Sequence, residues 1–354
     1  VTPPALRLGT RGSALARTQS AAVAAAVTAS TGRVVELVKV TTVGDRSAAA
    51  IAQLGGTGVF VTAVRDALLA GEVDLAVHSY KDLPTAPAAG LRLAAVPPRA
   101  DARDALVARD GLTLGELPVG ARVGTGSPRR TAQLRALGLG LDVVGVRGNV
   151  DTRLAAVAGG RLDAVVLARA GLERLGRLGA VTETLDPLSM LPAPAQGALA
   201  VECPVGHDTD EDLLRALVAL DHVDTRAAVA AERALLATLE AGCTAPVGAY
   251  ADVAEGDDGP EIFLRAVVTA IDGSAEIRLS ATGPPAAPEE LGRRLAARML
   301  DRGAAALLAS GGTSAVAARA GRARTLAPAS TPASTPASTP ASTSASTSAG
   351  RAHD

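Results

Sequence analysis

The stretch "ARVGTGSPRRTAQLRALGLGLDVVGVRGNVDTRLAAVAGGRLDAVVLA" (121–168) decides how this chain folds. "ARVGT" (121–125), "LDVVGV" (141–146) and "LDAVVLA" (162–168) are short apolar runs and read as strands. Between them "PRRTAQLRAL" (128–137) and "VDTRLAAVAG" (150–159) read as helices, the first with Pro128 at its opening position. Strand and helix in strict alternation predict parallel sheets covered by helices.

The same alternation runs upstream. "ALRLGT" (5–10) is a strand, and a helix follows from about Ser13 to Ala29, closed by Gly32. "VVELVKVTT" (34–42) is β-branched and reads as a strand, "VFVTAVRDALLAG" (59–71) as a helix, and "VDLAVHSY" (73–80) as a buried strand. Two features occur twice in the same order. "GTRGS" (9–13) and "GTGSP" (124–128) each join a strand to a helix, while "GEVDLAV" (71–77) and "GRLDAVV" (160–166) each lead into a buried strand. Two similarly built α/β lobes facing a cleft would produce this echo.

After residue 220 the grammar changes. A long helix (224–242, capped by Asp224) precedes strands near 246–252, 261–271 and 275–282, with "DGS" as a hairpin turn. A last helix lies near 288–309. Separate runs of strands and helices predict a small α+β domain. The repeating Pro-Ala-Ser-Thr tail has no core-forming residue and is expected to be disordered.

Composition narrows the function. A net charge of −1 argues against a dedicated nucleic-acid or membrane-surface binder, and 1% aromatics against base-stacking platforms. Two cysteines cannot staple 354 residues, and no zinc-like spacing occurs. "SAAVAAAVTAS" after Arg7, Arg11 and Arg17 has the composition of a weak export signal, but its alanines favour a helix, and a cytoplasmic protein is expected. Lys39 and Lys81 are the only lysines; the rest of the 35 cations are arginines.

Several segments could do chemistry. "GTRGSALARTQ" places Ser13 and Arg11 at a helix start, where free N–H groups attract anions. In "VGTGSPRRTAQL", Thr125 and Ser127 precede a helix whose first turn holds Arg129 and Arg130. Two cations there oppose the helix dipole, a mismatch that an anion at that end would resolve. Arg147, Arg153 and Arg174 repeat the theme, and guanidinium groups suit carboxylates. Lys81 and Asp82 in "VHSYKDLPT" stand just past a buried strand, where α/β proteins place functional groups. Asp82 could be a general acid/base or simply a turn former. "GGTGVF" (55–60) reads as a mobile loop. Cys243, between a helix and a strand, is open to several readings: disulfide, metal ligand, nucleophile or inert core residue. The four histidines (His78, His207, His222, His353) suggest no Cys–His pair. Cys203, inside an apolar strand, reads as inert.

Seven segments in order, "RLGTRGSALARTQ", "TTVGDR", "VHSYKDLPT", "VGTGSPRRTAQL", "RGNVDTRL", "LPAPAQGALAVE" and "LEAGCTAPVGAYA", resemble the porphobilinogen deaminase (hydroxymethylbilane synthase) family over roughly residues 5 to 310. The resemblance implies an α/β fold: two periplasmic-binding-protein-like lobes with mixed sheets and a C-terminal α+β domain. The boundaries would be 1–98 with 196–218 for the first lobe, which is discontinuous, 99–195 for the second, 219–312 for the third domain and 313–354 for the tail. It implies a transferase that joins four porphobilinogen molecules head to tail with loss of ammonia, on a dipyrromethane cofactor held by a thioether to Cys243. Asp82 matches the catalytic carboxylate. Ser13, Lys81, Asp82, Thr125, Ser127, Arg129, Arg130 and Arg147 match cofactor contacts; Arg11, Ser13, Arg147, Arg153, Arg174 and Gln196 match substrate contacts. No metal is implied, the partner is the small-molecule substrate, and a monomer is expected. Two departures stand out: Thr57 where the family commonly has lysine, and Tyr80 where methionine is more usual. The rival readings are a two-lobed anion-binding sensor, which would not need Cys243, and a cysteine hydrolase.

Overall fold

The computed structural model describes residues 4–40, 57–206, 210–242, 245–257 and 259–309. Cys243 and the tail lie outside them, as do Gly55 and Gly56 of the expected loop. Its next residues, Thr57 and Gly58, already belong to a helix.

Three sheets organise the chain. The first is built from β1 (Leu6–Thr10), β2 (Val35–Lys39), β3 (Leu75–Ser79), β4 (Leu91–Ala95) and, from far downstream, β10 (Leu199–Pro204), in the order β2-β1-β3-β10-β4. Helices α1 (Ala14–Thr31) and α2 (Thr57–Leu69) supply its crossovers. Ser13 caps α1 by accepting the Ala16 N–H, and Gly32 closes it in the left-handed conformation at φ 69°.

The second sheet contains β5 (Asp104–Ala108), β6 (Arg122–Thr125), β7 (Asp142–Gly145), β8 (Ala164–Ala168) and β9 (Glu183–Thr184), in the order β7-β6-β8-β5-β9. Its helices are α3 (Pro128–Ala136), α4 (Val150–Ala158) and α5 (Arg169–Arg174). The two sheets have one topology, which gives the internal echo its structural meaning. Both sheets are mixed, as the resemblance implied; strand–helix alternation by itself pointed only to their parallel part. β10 runs antiparallel to β3 and β4, and β5 antiparallel to β8 and β9. Each of these strands enters from the other lobe, so no crossover helix forces it to run parallel.

The two connections between lobes, 96–103 and 185–198, pass against each other. A Cβ on Gly197 would lie 2.4 Å from the Ala100 carbonyl oxygen, so the approach excludes a side chain there.

After β10 comes α6 (Glu211–Leu220), and the C-terminal domain then contains α7 (Val223–Thr238), an antiparallel sheet of β11 (Val247–Gly256), β12 (Gly259–Thr269) and β13 (Glu276–Gly283), and α8 (Pro288–Asp301). Helix α6 packs back onto the first lobe through Leu213, Ala216 and Leu217. Helices α7 and α8 cover the third sheet with alanine, leucine and methionine side chains. The α7 cap is His222, not Asp224: its ring Nδ1 accepts the Thr225 N–H at 3.1 Å. Asp224 sits one step inside, in the first turn. α7 ends at Thr238, four residues short of the expected limit, and α8 ends at Asp301, with helix resuming at 304 after Gly303. Among the described residues no helix is long and apolar enough to cross a membrane, and no cluster of three or more His, Cys, Asp or Glu side chains could hold a metal.

Candidate active site

Asp82 ends a three-residue 3-10 turn (Tyr80–Asp82) that leaves β3, whose residues Leu75 to His78 are all buried. Emerging from a buried strand, the turn brings polar groups to the edge of the sheet. It is held from several directions. Gln19 of α1 donates to Ser79 Oγ at 3.0 Å, and the Tyr80 N–H donates to the Ala198 carbonyl at 3.0 Å. Lys81 Nζ donates to Gln196 Oε1 at 3.2 Å.

Gln196 carries the connection into the second lobe. Its Nε2 donates to Asp104 Oδ1 and to the Ala102 carbonyl, both at 2.7 Å. Asp104, fully buried, takes Arg129 Nη1 at 2.9 Å and Arg130 Nη2 at 2.8 Å. The anion demanded by two arginines in one helical first turn is therefore a carboxylate of the protein itself. Arg129 also donates to the Leu191 carbonyl and Arg130 to the Val166 carbonyl. Both keep a buried Nε with no partner among the described residues. Gln196, matched to substrate contact, is 1% exposed and both ends of its amide are occupied by Lys81, Asp104 and the Ala102 carbonyl.

Electrostatics follow from the packing. Burial, reinforced by Arg130, pulls the Lys81 ammonium down to about 8, against the attraction of Asp82 and Asp104. Burial alone would raise Asp104, but Arg129, Arg130 and their bonds outweigh it and hold it well below the carboxylate range. Arg153 is depressed by burial and by Arg130, and Arg174 by burial. Cations in that condition gain from a bound anion.

The other expected residues fall around this cluster. Thr125, 2% exposed, accepts the Ser127 N–H at 3.2 Å, and Ser127 caps α3. Arg153 Nε donates to the Gly148 carbonyl at 3.0 Å, and its Nη2 would lie 3.7 Å from a Cβ on Gly126. Arg147 is exposed and lines a depression with Thr125, Ser127 and Thr131. Arg174 Nη2 donates to the Gly197 carbonyl at 2.6 Å, tying α5 to the second connection. Ser13 is exposed, and Arg11 is half-buried beside it at the end of β1. The start of α1 faces α5: a Cβ on Gly171 would meet Leu15 at 3.8 Å. Cys203 is fully buried and receives Arg92 Nε at 3.3 Å.

Reading the sequence missed Asp104, Arg99, Glu232 and Arg233. Asp104 left one faint signal, an acid at the head of the otherwise apolar strand "DALVA".

Comparison with known proteins shows the family of the chain. Residues 6–212 match the family model described as porphobilinogen deaminase, dipyromethane cofactor binding domain, and residues 226–301 match the porphobilinogen deaminase C-terminal domain. A porphobilinogen deaminase of Nocardia farcinica is 59% identical over 321 residues, covering 89% of this chain and 91% of the relative. One of Mycobacterium tuberculosis is 61% identical over 308 residues, covering 86% and 98%. The chain belongs to the porphobilinogen deaminase family. Asp82, Lys81, Gln196 and the α3 arginines all fall inside the matched cofactor domain, and Cys243 falls inside the matched C-terminal domain. Among solved structures, the VFT2 domain of Bordetella pertussis BvgS aligns with 65% of this chain and 92% of its own at 20% identity and a TM-score of 0.38.

The residues present fit a cofactor rich in carboxylates. The desolvated Lys81 and Arg153 and the exposed Arg147 offer positive charge to such a group.

Proposed function

We propose that the cleft at the Asp82 turn is where this chain joins four porphobilinogen molecules head to tail, releasing ammonia at each addition, and that Cys243 anchors the dipyrromethane. The family makes the chain a transferase with that cofactor and with porphobilinogen as substrate. The single observation that carries the site assignment is the bonded path Lys81–Gln196–Asp104–Arg129/Arg130. It links cations of both lobes to Lys81, the neighbour of Asp82, whose carboxylate acts on the Lys81 charge, and so supports reading Asp82 as the reacting acid.

When bound, the dipyrromethane supplies a covalent primer to which pyrrole units are added. The chain's own groups bind, orient and move a proton. Asp82 passes a proton to the departing amine nitrogen and, as a carboxylate, then faces the electron-poor carbon left behind. Lys81 and Arg147, with Ser13, Thr125, Ser127, Arg129 and Arg130, hold the acetate and propionate groups of the cofactor. Arg11 and Arg174, with Arg147, Arg153 and Ser13, receive those of incoming substrate. Gln196 acts by holding Lys81 in place. A thioether at Cys243 resists water, so that thiol needs no catalytic base.

The proposed domain limits are 1–98 with 196–218, 99–195 and 219–312, and the insertion of β10 into the first sheet supports a discontinuous first lobe. The reading includes a cytoplasmic monomer, since every group it uses is on one chain. The test is to denature the purified protein and weigh the peptide carrying Cys243. Two added pyrrole units support the proposal; a bare thiol favours a binding protein of the same two-lobed build.

A further inference from the structure

We propose that Arg233, on the C-terminal helix α7, is a positioning residue that holds the Asp82 turn in register with the domain bearing Cys243; this rests on the reading of Asp82 as the reacting acid. Arg233 Nη1 donates to the Leu83 carbonyl at 3.0 Å and to the Tyr80 carbonyl at 3.4 Å, and Nη2 donates to the Pro84 carbonyl at 2.6 Å. These carbonyls bracket Asp82 on both sides. The guanidinium also lies over the Tyr80 ring, 4.4 Å from its centroid.

The turn needs outside support. It is three residues long, its Ser79 side chain bonds Gln19 rather than capping the turn, and its closing bond is Leu83 N–H to the Tyr80 carbonyl at 3.2 Å. Such a 3-10 turn has poor internal geometry and does not fix its own direction. Tyr80 and Leu83 are buried in one apolar cluster with Val229, a turn earlier on α7, so packing brings the helix to the turn and Arg233 sets its orientation. Tyr80 stands where the family more usually has methionine, and its ring gives the guanidinium a flat platform. Because α7 leads directly towards residue 243, Arg233 ties the backbone around the acid to the element that precedes the anchor. A reacting group displaced by about 1 Å loses on the order of 100-fold in rate.

The test is a mutant cycle on full-length, cofactor-loaded enzyme, with loading checked by intact mass. Arg233→Met keeps the apolar stem and removes the three donors. It is expected to lower kcat about 30-fold with KM for porphobilinogen within about threefold, and Arg233→Lys to recover part of the loss. On an Asp82→Glu background, where the acid is already displaced, Arg233→Met should cost less than about threefold. Arg293→Ala, at a residue that lines one surface depression with Tyr80, Leu83 and Arg233, should leave turnover unchanged. The proposal is overturned if Arg233→Met lowers the melting temperature but leaves kcat per loaded enzyme intact, or if its full effect multiplies onto Asp82→Glu. Should Arg233→Met not accumulate as folded protein, Arg233→Gln runs the same cycle under the same criteria. Wild-type turnover in both Asp82→Glu and Asp82→Asn would instead remove the reading beneath it.

Discussion

Arg99 and Glu232 form a two-pronged ion pair, Nη1 to Oε1 at 2.7 Å and Nη2 to Oε2 at 3.0 Å, with the Glu232 side chain wholly buried. The same carboxylate accepts the Ala195 N–H at 2.5 Å and the Ala251 N–H at 2.7 Å. Arg99 Nε donates to the Gln196 carbonyl at 2.8 Å. One acid on α7 thus gathers both connections between the lobes and the first strand of the third sheet. Ala195 holds φ at 61°, a left-handed value uncommon for a residue with a side chain, and its bond to Glu232 compensates.

Removing that acid leaves a buried guanidinium and orphaned N–H groups. Glu232→Ala should therefore cost about 3–5 kcal/mol in urea unfolding. The loss should also separate the melting of the C-terminal domain from that of the lobes. A single transition within about 1 kcal/mol of wild type would show that the clamp does not couple these units.

Asp82→Asn should fold normally and lose between about 100- and 10,000-fold in turnover, the range of a lost proton-transfer group. Circular dichroism and a porphobilinogen consumption assay on the same sample check both halves. Turnover near wild type would take Asp82 out of the mechanism.

Lys81 titrates at about 8 in the free protein because burial penalises its charge. Carboxylates of the bound cofactor would raise it, so in loaded enzyme the loss of this cation, and with it a fall in kcat/KM, should appear at or above pH 8. Arg is always charged, so Lys81→Arg should abolish this limb or move it upward, even where absolute activity drops. An unchanged limb in the variant would assign it to another group.

Glu202 accepts both prongs of Arg65, at 2.9 and 2.7 Å, and lies 3.3 Å from His78. Burial would raise it, but His78 and Arg65 win and bring it down to about 2 from 4.5. A depressed carboxylate contributes stability that is fully present above 4.5 and is lost as pH falls towards 2. Glu202→Gln should therefore be less stable than wild type at pH 6, with the gap narrowing by pH 3 in denaturant titrations. A gap independent of pH would mean that packing, not charge, sets the cost.

Strand and helix order was legible because periodicity and turn chemistry are local. Ser13, Gly32, Pro128 and the "DGS" hairpin act within a few residues of themselves, and each does what its neighbours predict. Asp82, Lys81 and the arginines could be nominated the same way, as residue types in ordered motifs. The direction of β5 and β10 was not, because it depends on which lobe each strand enters. Nor was the occupation of Arg129 and Arg130, since their partner Asp104 arrives from a strand more than twenty residues away. Arg99, Arg233 and Glu232 read as ordinary charges on a helix and a connection until the fold brings them to buried carbonyls and carboxylates. The sequence by itself determined most of the elements and the family. Only tertiary structure decided which charges are held by the protein and which are left for a ligand, because desolvation and pairing depend on neighbours that chain order does not reveal.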